Sequence, residues 1–273
     1  MALITLIRGG GDLASGVALR LYRAGLRLII TELPQPLMVR RSVSFAEAVY
    51  AGKCQVEGVV AVLVSDLEQA LDIISADRIP VLVDPDACSL SELFTSQAPL
   101  VVVDARMTKL PSETVLTSAS LVIGLGPGYV AGQNCHAVVE TNRGHQLGRV
   151  IREGATEADT GVPDRVLTQG GSRVLRAPIE GIIQTLAQIG DHVKSGQAVA
   201  EINGTAILAP FDGVIRGLIH PGLSVWTGMK IGDVDPRDDP RFCYLVSDKA
   251  LAVGGGVLES ILSTSFLRPY LWD

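Results

Sequence analysis

Cysteine is scarce in this chain: four residues in 273, at Cys54, Cys88, Cys135 and Cys243, with no Cys-x-x-Cys pair among them. That excludes a disulfide framework and a structural zinc site of the usual spacing. Aromatic residues reach only 4%, against 47% hydrophobic residues and 29 glycines, a balance that suits an aliphatic α/β protein. Blocks of basic residues are missing too. Acidic and basic side chains are mixed along the chain at a net charge of −6, which argues against nucleic acid or an anionic membrane as partner. Nor is there an apolar run long enough to span a bilayer, and the first residues pass straight into a strand pattern. A cytoplasmic protein without a membrane segment is expected. At this length the chain can bury a substantial core as one large domain or two smaller ones.

What is present begins with Arg8-Gly9-Gly10-Gly11-Asp12-Leu13-Ala14-Ser15-Gly16. Leu3-Ile4-Thr5-Leu6-Ile7 before it has strand length, and Leu13, Val17 and Leu21 after it recur at helical spacing. Gly9, Gly11 and Ala14 fit G-x-G-x-x-G/A. The first glycine permits a tight turn, the second close approach of a pyrophosphate, and the small third residue close helix–strand packing. Free N–H groups at the helix start would then face phosphate. Glu32 ends a second apolar strand 21 positions after Gly11, where a carboxylate can accept from a ribose hydroxyl. Arg40-Arg41 stands just beyond and could receive a 2′-phosphate, which leaves NAD and NADP both open. The candidate cofactor-binding set at this end is Gly9, Gly10, Gly11, Asp12, Ala14 and Glu32.

Further apolar strands alternate with helical segments: 59–64, 79–83, 100–103 and 121–123. Such uniformly apolar strands predict a parallel sheet buried on both faces, a Rossmann-like domain over residues 1–165. Ser65, Asp84, Asp104 and Gly124 close these strands at the edge where ligands bind in open sheets. Asp104, Gly124 and Gly126 therefore join the cofactor-binding candidates, although a helix N-cap or turn also accounts for an aspartate at a strand end. Residues 135–149 read as two strands about an Asn142-Arg143-Gly144 turn. His136 and Glu140 share a face there, His145 follows the turn, and Cys135 adjoins. Cys135, His136, Glu140 and His145 are the catalytic candidates, with histidine for proton exchange, glutamate to orient it and a thiol as nucleophile. Two histidines and a glutamate could also hold a metal, whose presence the sequence leaves unknown.

Gly, Thr and charged residues fill 154–172, a linker by composition. Beyond it the chain repeats at an offset of 32: Ala177-Pro178-Ile179-Glu180-Gly181-Ile182-Ile183 against Ala209-Pro210-Phe211-Asp212-Gly213-Val214-Ile215. Gly190, Val193 and Gly196 likewise match Gly222, Val225 and Gly228. The pattern resembles the biotinyl/lipoyl-like barrel-sandwich hybrid and implies a small all-β module over 173–236. Carriers of that fold bear a lysine on the central hairpin. Here no lysine occurs from 197 to 229, so neither biotin nor lipoate is expected. Residues 237–273 are expected to form a helical tail, with Gly254-Gly255-Gly256 unfavourable unless packed closely. Phe266, Tyr270 and Trp272 crowd its end, as for packing on a neighbouring domain or subunit, and a homo-oligomer is expected.

Taken together, the strings at 7–16, Val39-Arg40-Arg41 with Phe45, Glu47 and Val49, Glu57-Gly58, 124–128 and 136–145 resemble the YqeB-type proteins associated with selenium-dependent molybdenum hydroxylases. The resemblance implies an accessory protein that matures or inserts a molybdenum cofactor, with or without its selenium ligand. It would bind a nucleotide or a phosphorylated, molybdopterin-type pterin at the glycine loop and meet a molybdenum hydroxylase apoenzyme. An NAD(P)-dependent oxidoreductase is the alternative. The resemblance supplies no catalytic residue.

Overall fold

A computed structural model of the chain describes residues 3–94, 99–108, 114–159, 161, 167 and 170–271. The linker boundary near residue 165, and Trp272, lie outside the described residues. Two compact units result. The first is made of Met1–Pro36, Ser44–Asp159 and Val246–Asp273, the second of Leu37–Val43 and Thr160–Leu245.

In the first unit, β1 (Ile4–Arg8) leads through α1 (Asp12–Arg23) to β2 (Arg27–Glu32). Then come α2 (Ala48–Ala51), β3 (Lys53–Val56), β4 (Val59–Val64), α3 (Leu67–Ser75), β5 (Ile79–Val83), α4 (Ser89–Phe94), β6 (Leu100–Asp104) and β7 (Leu121–Leu125). Short strands β8 (Val130–Ala131), β9 (Ala137–Val139), β10 (Val150–Ile151) and β11 (Gly154–Ala155) follow. Nine of them form one sheet in the order β10-β9-β7-β6-β1-β2-β5-β4-β3. Its centre is parallel and in strict register, with Ile7 beside Ile30 on one side and Val103 on the other. Both β6 and β7 are buried along their whole length, which is why they carry no polar alternation.

The second unit contains β12 (Val174–Arg176), β13 (Gly181–Thr185), β14 (His192–Val193), β15 (Ala198–Ile202), β16 (Thr205–Leu208), β17 (Gly213–Leu218), β18 (Ser224–Val225) and β19 (Lys230–Asp235). They form two four-stranded antiparallel sheets, β12-β19-β17-β14 and β16-β15-β13-β18. The offset of 32 maps β13, β14 and β15 onto β17, β18 and β19. Because β13 pairs with β18 and β17 with β14, each repeat lends a strand to the other's sheet. Neither repeat can complete a sheet alone. Asn203 and Gly204 both have positive φ, 48° and 79°, as a type I′ hairpin turn requires.

After the second unit, α5 (Asp248–Leu262) returns to the first. Ser247 caps it by accepting from the Ala250 N–H at 3.1 Å. A Cβ on Gly254 would lie 2.7 Å from the Gly16 carbonyl of α1, and one on Gly256 2.3 Å from the Gly148 carbonyl. Gly254 and Gly256, which weaken the isolated helix, are what let α5 press backbone to backbone on α1 and the 148 turn.

Three expectations are corrected. The sheet is mixed, since β3 and β10 run antiparallel at its two edges, so it is not the parallel Rossmann-like sheet expected. The compact barrel-sandwich hybrid over 173–236 gives way to a larger unit of two sheets with added segments. The Val39 carbonyl accepts from Leu218 N–H at 2.8 Å, tying residues 37–43 to β17, and the unit runs on to Leu245. The segment 237–273 is no tail, because α5 is part of the first unit's core, with Val253, Val257 and Ile261 buried. Among the described residues no helix is long and apolar enough to cross a membrane.

Candidate functional site

The strand order reverses at β1. Its successor β2 lies on one side and β6 on the other, so the crevice favoured for ligands opens outside Arg8-Gly9 and Asp104-Ala105. Gly9 turns the chain with φ +93°, and a Cβ there would sit 3.4 Å from Arg106 Cα. Gly10 is closed off: a Cβ would lie 2.9 Å from Ala46 N, whose N–H donates to the Gly10 carbonyl. Ser15 Oγ also donates to that carbonyl, at 3.1 Å, and accepts from Phe45 N–H. Gly11 is open. No atom comes within 4 Å of an added Cβ, and as N-cap of α1 it offers the helix no side-chain cap. Asp12 stands in the first turn, and buried Ala14 lets helix and sheet pack closely.

Glu32 turns into this loop. Its Oε2 accepts from Gly10 N–H and its Oε1 from Leu33 N–H, both at 2.7 Å. Burial pushes its carboxyl pKa up, while the two N–H bonds work to lower it. The carboxylate expected to read a ribose is thus occupied by the chain's own backbone. Arg40 and Arg41, expected to read a 2′-phosphate, belong to the second unit. There Arg40 Nη2 donates to the Phe242 and Leu245 carbonyls and Arg41 Nε to the Leu218 carbonyl.

Across the crevice, Asp104 is the hub. Arg106 donates to it through Nε at 3.0 Å and Nη2 at 2.6 Å, and Thr114 Oγ1 donates at 2.8 Å. Arg8 lies 3.9 Å away, donating to Thr114 Oγ1 and to the Pro85 carbonyl. Arg8 and Asp104 are 2% and 0% exposed. Burial would raise the Asp104 carboxyl, but Arg106, Tyr129 and Thr114 outweigh it and hold the pKa down at about 2. Asp104 therefore does not meet a ligand; it fixes Arg106, whose side chain remains 23% exposed at the mouth.

The second glycine turn is filled by protein. A Cβ on Gly124 would overlap the Tyr129 ring, and one on Gly126 would lie 2.4 Å from Thr141 Oγ1. Both are corrected from ligand-binding to packing positions. Asp84 caps the turn into α4, accepting from Cys88 N–H, Ser89 N–H and Ser89 Oγ.

The catalytic candidates do not converge. Cys135 is fully buried and burial pushes its thiol up to about 11, leaving little thiolate at neutral pH. His136 stands at the start of β9, its Nδ1 accepting from Val122 N–H at 2.9 Å. Glu140 follows the opposite end of β9, buried, with Oε1 accepting from Thr141 and Asn142 N–H and Oε2 from Glu157 N–H. His145 is exposed on the loop that follows. The quartet is corrected: Glu140 ties a loop together, and Cys135 is a core thiol. Among the described residues no three His, Cys, Asp or Glu side chains are disposed to hold a metal. Arg106 and Thr114 are the site residues that motif reading missed. The available signal was charge at the ends of neighbouring apolar strands, Arg8 on β1 and Asp104 on β6.

No family model matches the chain. It is 47% identical over 259 residues to a protein of Escherichia coli K12 described as the uncharacterized protein YqeB, covering 95% of this chain and 47% of that protein. The chain thus spans about half the length of the curated relative it matches. Solved structures with some likeness include an aspartoacylase family protein from Mesorhizobium loti, 10% identical with a TM-score of 0.27. Another is a succinylglutamate desuccinylase from a Silicibacter species, 12% identical with a TM-score of 0.25. Each alignment covers 85% of this chain and 84% of the other. Scores this low carry neither fold nor function across. Neither of these two is described as a molybdenum-hydroxylase or NAD(P)-binding protein, the classes expected from the sequence.

Proposed function

We propose that the first unit is a binding protein for a phosphorylated small molecule, a nucleotide or a compound of similar size, held at the crevice outside β1 and β6. The observation that carries this reading is Gly11: open space in front of it, and behind it a 12-residue helix whose N-terminus has no side-chain cap. The N–H groups of a helix's first turn and its positive end favour an anion there. Arg106, whose Cα lies beside Gly9 and whose Nε and Nη2 are held by Asp104, adds a positive charge at this edge. Asp12 and Glu32 limit how much negative charge the loop accepts, so a monophosphate is favoured over a triphosphate. A cytoplasmic setting, expected from the composition, is part of the same proposal.

Gly11→Val is the clean test. Gly11 has φ −64° and ψ −178°, an extended backbone that valine adopts freely, and nothing would collide with the new side chain. The variant should fold like the wild type and lose ligand. Calorimetry with nucleoside mono- and triphosphates should show binding to the wild type, weakened at least about tenfold in Gly11→Val. Equal binding by both proteins would move the site elsewhere, and no binding by a folded wild type would end the proposal.

A further inference from the structure

The second unit carries an arginine whose partners are already taken. Asp233 and Asp235 lie on β19, both 2% exposed. Arg173 hydrogen-bonds Asp233. Arg237 forks onto Asp235, Nε at 2.9 Å and Nη2 at 2.5 Å, and its guanidinium stacks 4.2 Å from the centre of the Phe242 ring. Arg216, on β17 beside them, comes only within 3.9 Å of Asp233 and 3.6 Å of Asp235. Those separations are too long for hydrogen bonds. Its side chain is 14% exposed, and its buried Nε has no hydrogen-bond partner among the described residues.

Its surroundings add to the strain. Burial pushes the Arg216 guanidinium pKa down, and the charges of Arg40 and Arg237 push it the same way, against Asp233 and Asp235. A third guanidinium placed next to two carboxylates already engaged by other arginines gains little and is desolvated.

We propose that Arg216 anchors a site for a small oxyanion, a phosphate or sulfate group, in the second unit. A tetrahedral oxyanion offers the paired acceptors that the guanidinium fork fits, and its charge offsets the clustered cations. The group could arrive as free phosphate or as the phosphate of a small ester, and both offer the same chemistry. This inference is independent of the ligand proposed for the first unit.

The experiment uses the full chain carrying Gly11→Val, so that binding at the glycine loop does not contribute. Inorganic phosphate and glycerol phosphate are titrated separately by calorimetry in chloride buffer at constant ionic strength. Binding of either, near one per chain, is expected, and the arm that binds identifies the source. Adding Arg216→Met should weaken it at least about tenfold, and Arg216→Lys, which keeps charge without the fork, should lie between. In the absence of the anion Arg216→Met should unfold no earlier than its parent, which a purely structural arginine would not allow. If Arg216→Met fails to fold, the Arg216→Lys comparison decides, and unchanged affinity there overturns the proposal. So does unchanged affinity in a folded Arg216→Met, or an absence of binding in both arms.

Discussion

Glu32 Oε2 lies 2.7 Å from the Gly10 nitrogen, so the glycine loop is closed on one side by a carboxylate of the neighbouring strand. The loop and the end of β2 are one structural piece as a result. Glu32→Ala would strand the Gly10 and Leu33 N–H groups and should cost about 1–3 kcal/mol. Glu32→Gln keeps one acceptor oxygen and should lose less. Because the folded carboxyl pKa is raised, the fold binds that proton more tightly than the unfolded chain does. Wild type should therefore gain stability relative to Glu32→Gln as pH falls toward 4.5, levelling off below it. Denaturant midpoints across this range check both statements.

Adjacent glycines in α5 should respond to alanine with opposite signs. At Gly254 the new Cβ would press on the Gly16 carbonyl at 2.7 Å and on Arg20 Cγ at 2.9 Å, and neither the helix nor its neighbour can yield cheaply. A loss of about 1–3 kcal/mol is expected. At Gly255 nothing lies within 4 Å, so Gly255→Ala should stabilise the helix by up to about 1 kcal/mol. Thermal melts of the two variants should move to either side of the wild type.

The same glycines show what was legible in the sequence. The strand–glycine–helix opening, the buried central strands and the 32-residue repeat were all written locally, in apolar runs and turn residues. The antiparallel edge at Lys53–Val56 was not, because that strand carries no mark of which neighbour it pairs with, while the hairpin read about residues 142–144 pairs slightly later than expected, at Val150-Ile151. The return of α5 to α1 was foreshadowed by the glycine triplet, yet its partner Gly16 lies more than 200 residues away. At the site, side-chain chemistry read Glu32 as a ribose acceptor and Glu140 as the carboxylate that orients a histidine. It could not say that their oxygens are consumed by N–H groups, since that depends on loop geometry.

Cysteine reactivity should follow burial. Cys135 is enclosed with its thiol raised to about 11, Cys54 is raised further to about 12, and Cys88 is exposed. Iodoacetamide at pH 7.5 should label Cys88 first and leave Cys135 and Cys54 unmodified while the protein stays folded. Peptide mass spectrometry reads the order directly. Rapid labelling of Cys135 would restore it as a candidate nucleophile.

His136 must be neutral at Nδ1 to accept from Val122 N–H, and burial lowers its pKa below 6.5. The unfolded chain therefore takes up the proton first as the pH drops. The stability His136 contributes should be complete above pH 6.5 and decline below it. His136→Gln should flatten that part of the pH profile in chemical denaturation.

Asp104 gathers Arg106, Thr114 and Tyr129 at the end of β6, with Arg8 alongside, and its removal should be felt in both stability and binding. Its folded pKa of about 2 sits below the ordinary 3.8, so the unfolded chain binds the proton more readily. The resulting stabilisation, about 2 kcal/mol by proton linkage, is complete above pH 3.8 and is lost as pH falls toward 2. Asp104→Asn should lack that slope. It should also be less stable at neutral pH by about 3–5 kcal/mol, since two guanidiniums lose their carboxylate in a buried place. Ligand binding separates this structural role from the positioning of Arg106. If Asp104 acts on ligand by holding Arg106, then Arg106→Ala should weaken phosphate binding as much as Asp104→Asn while destabilising the fold far less. A folded Asp104→Asn protein that binds ligand like the wild type would leave Asp104 a structural residue alone.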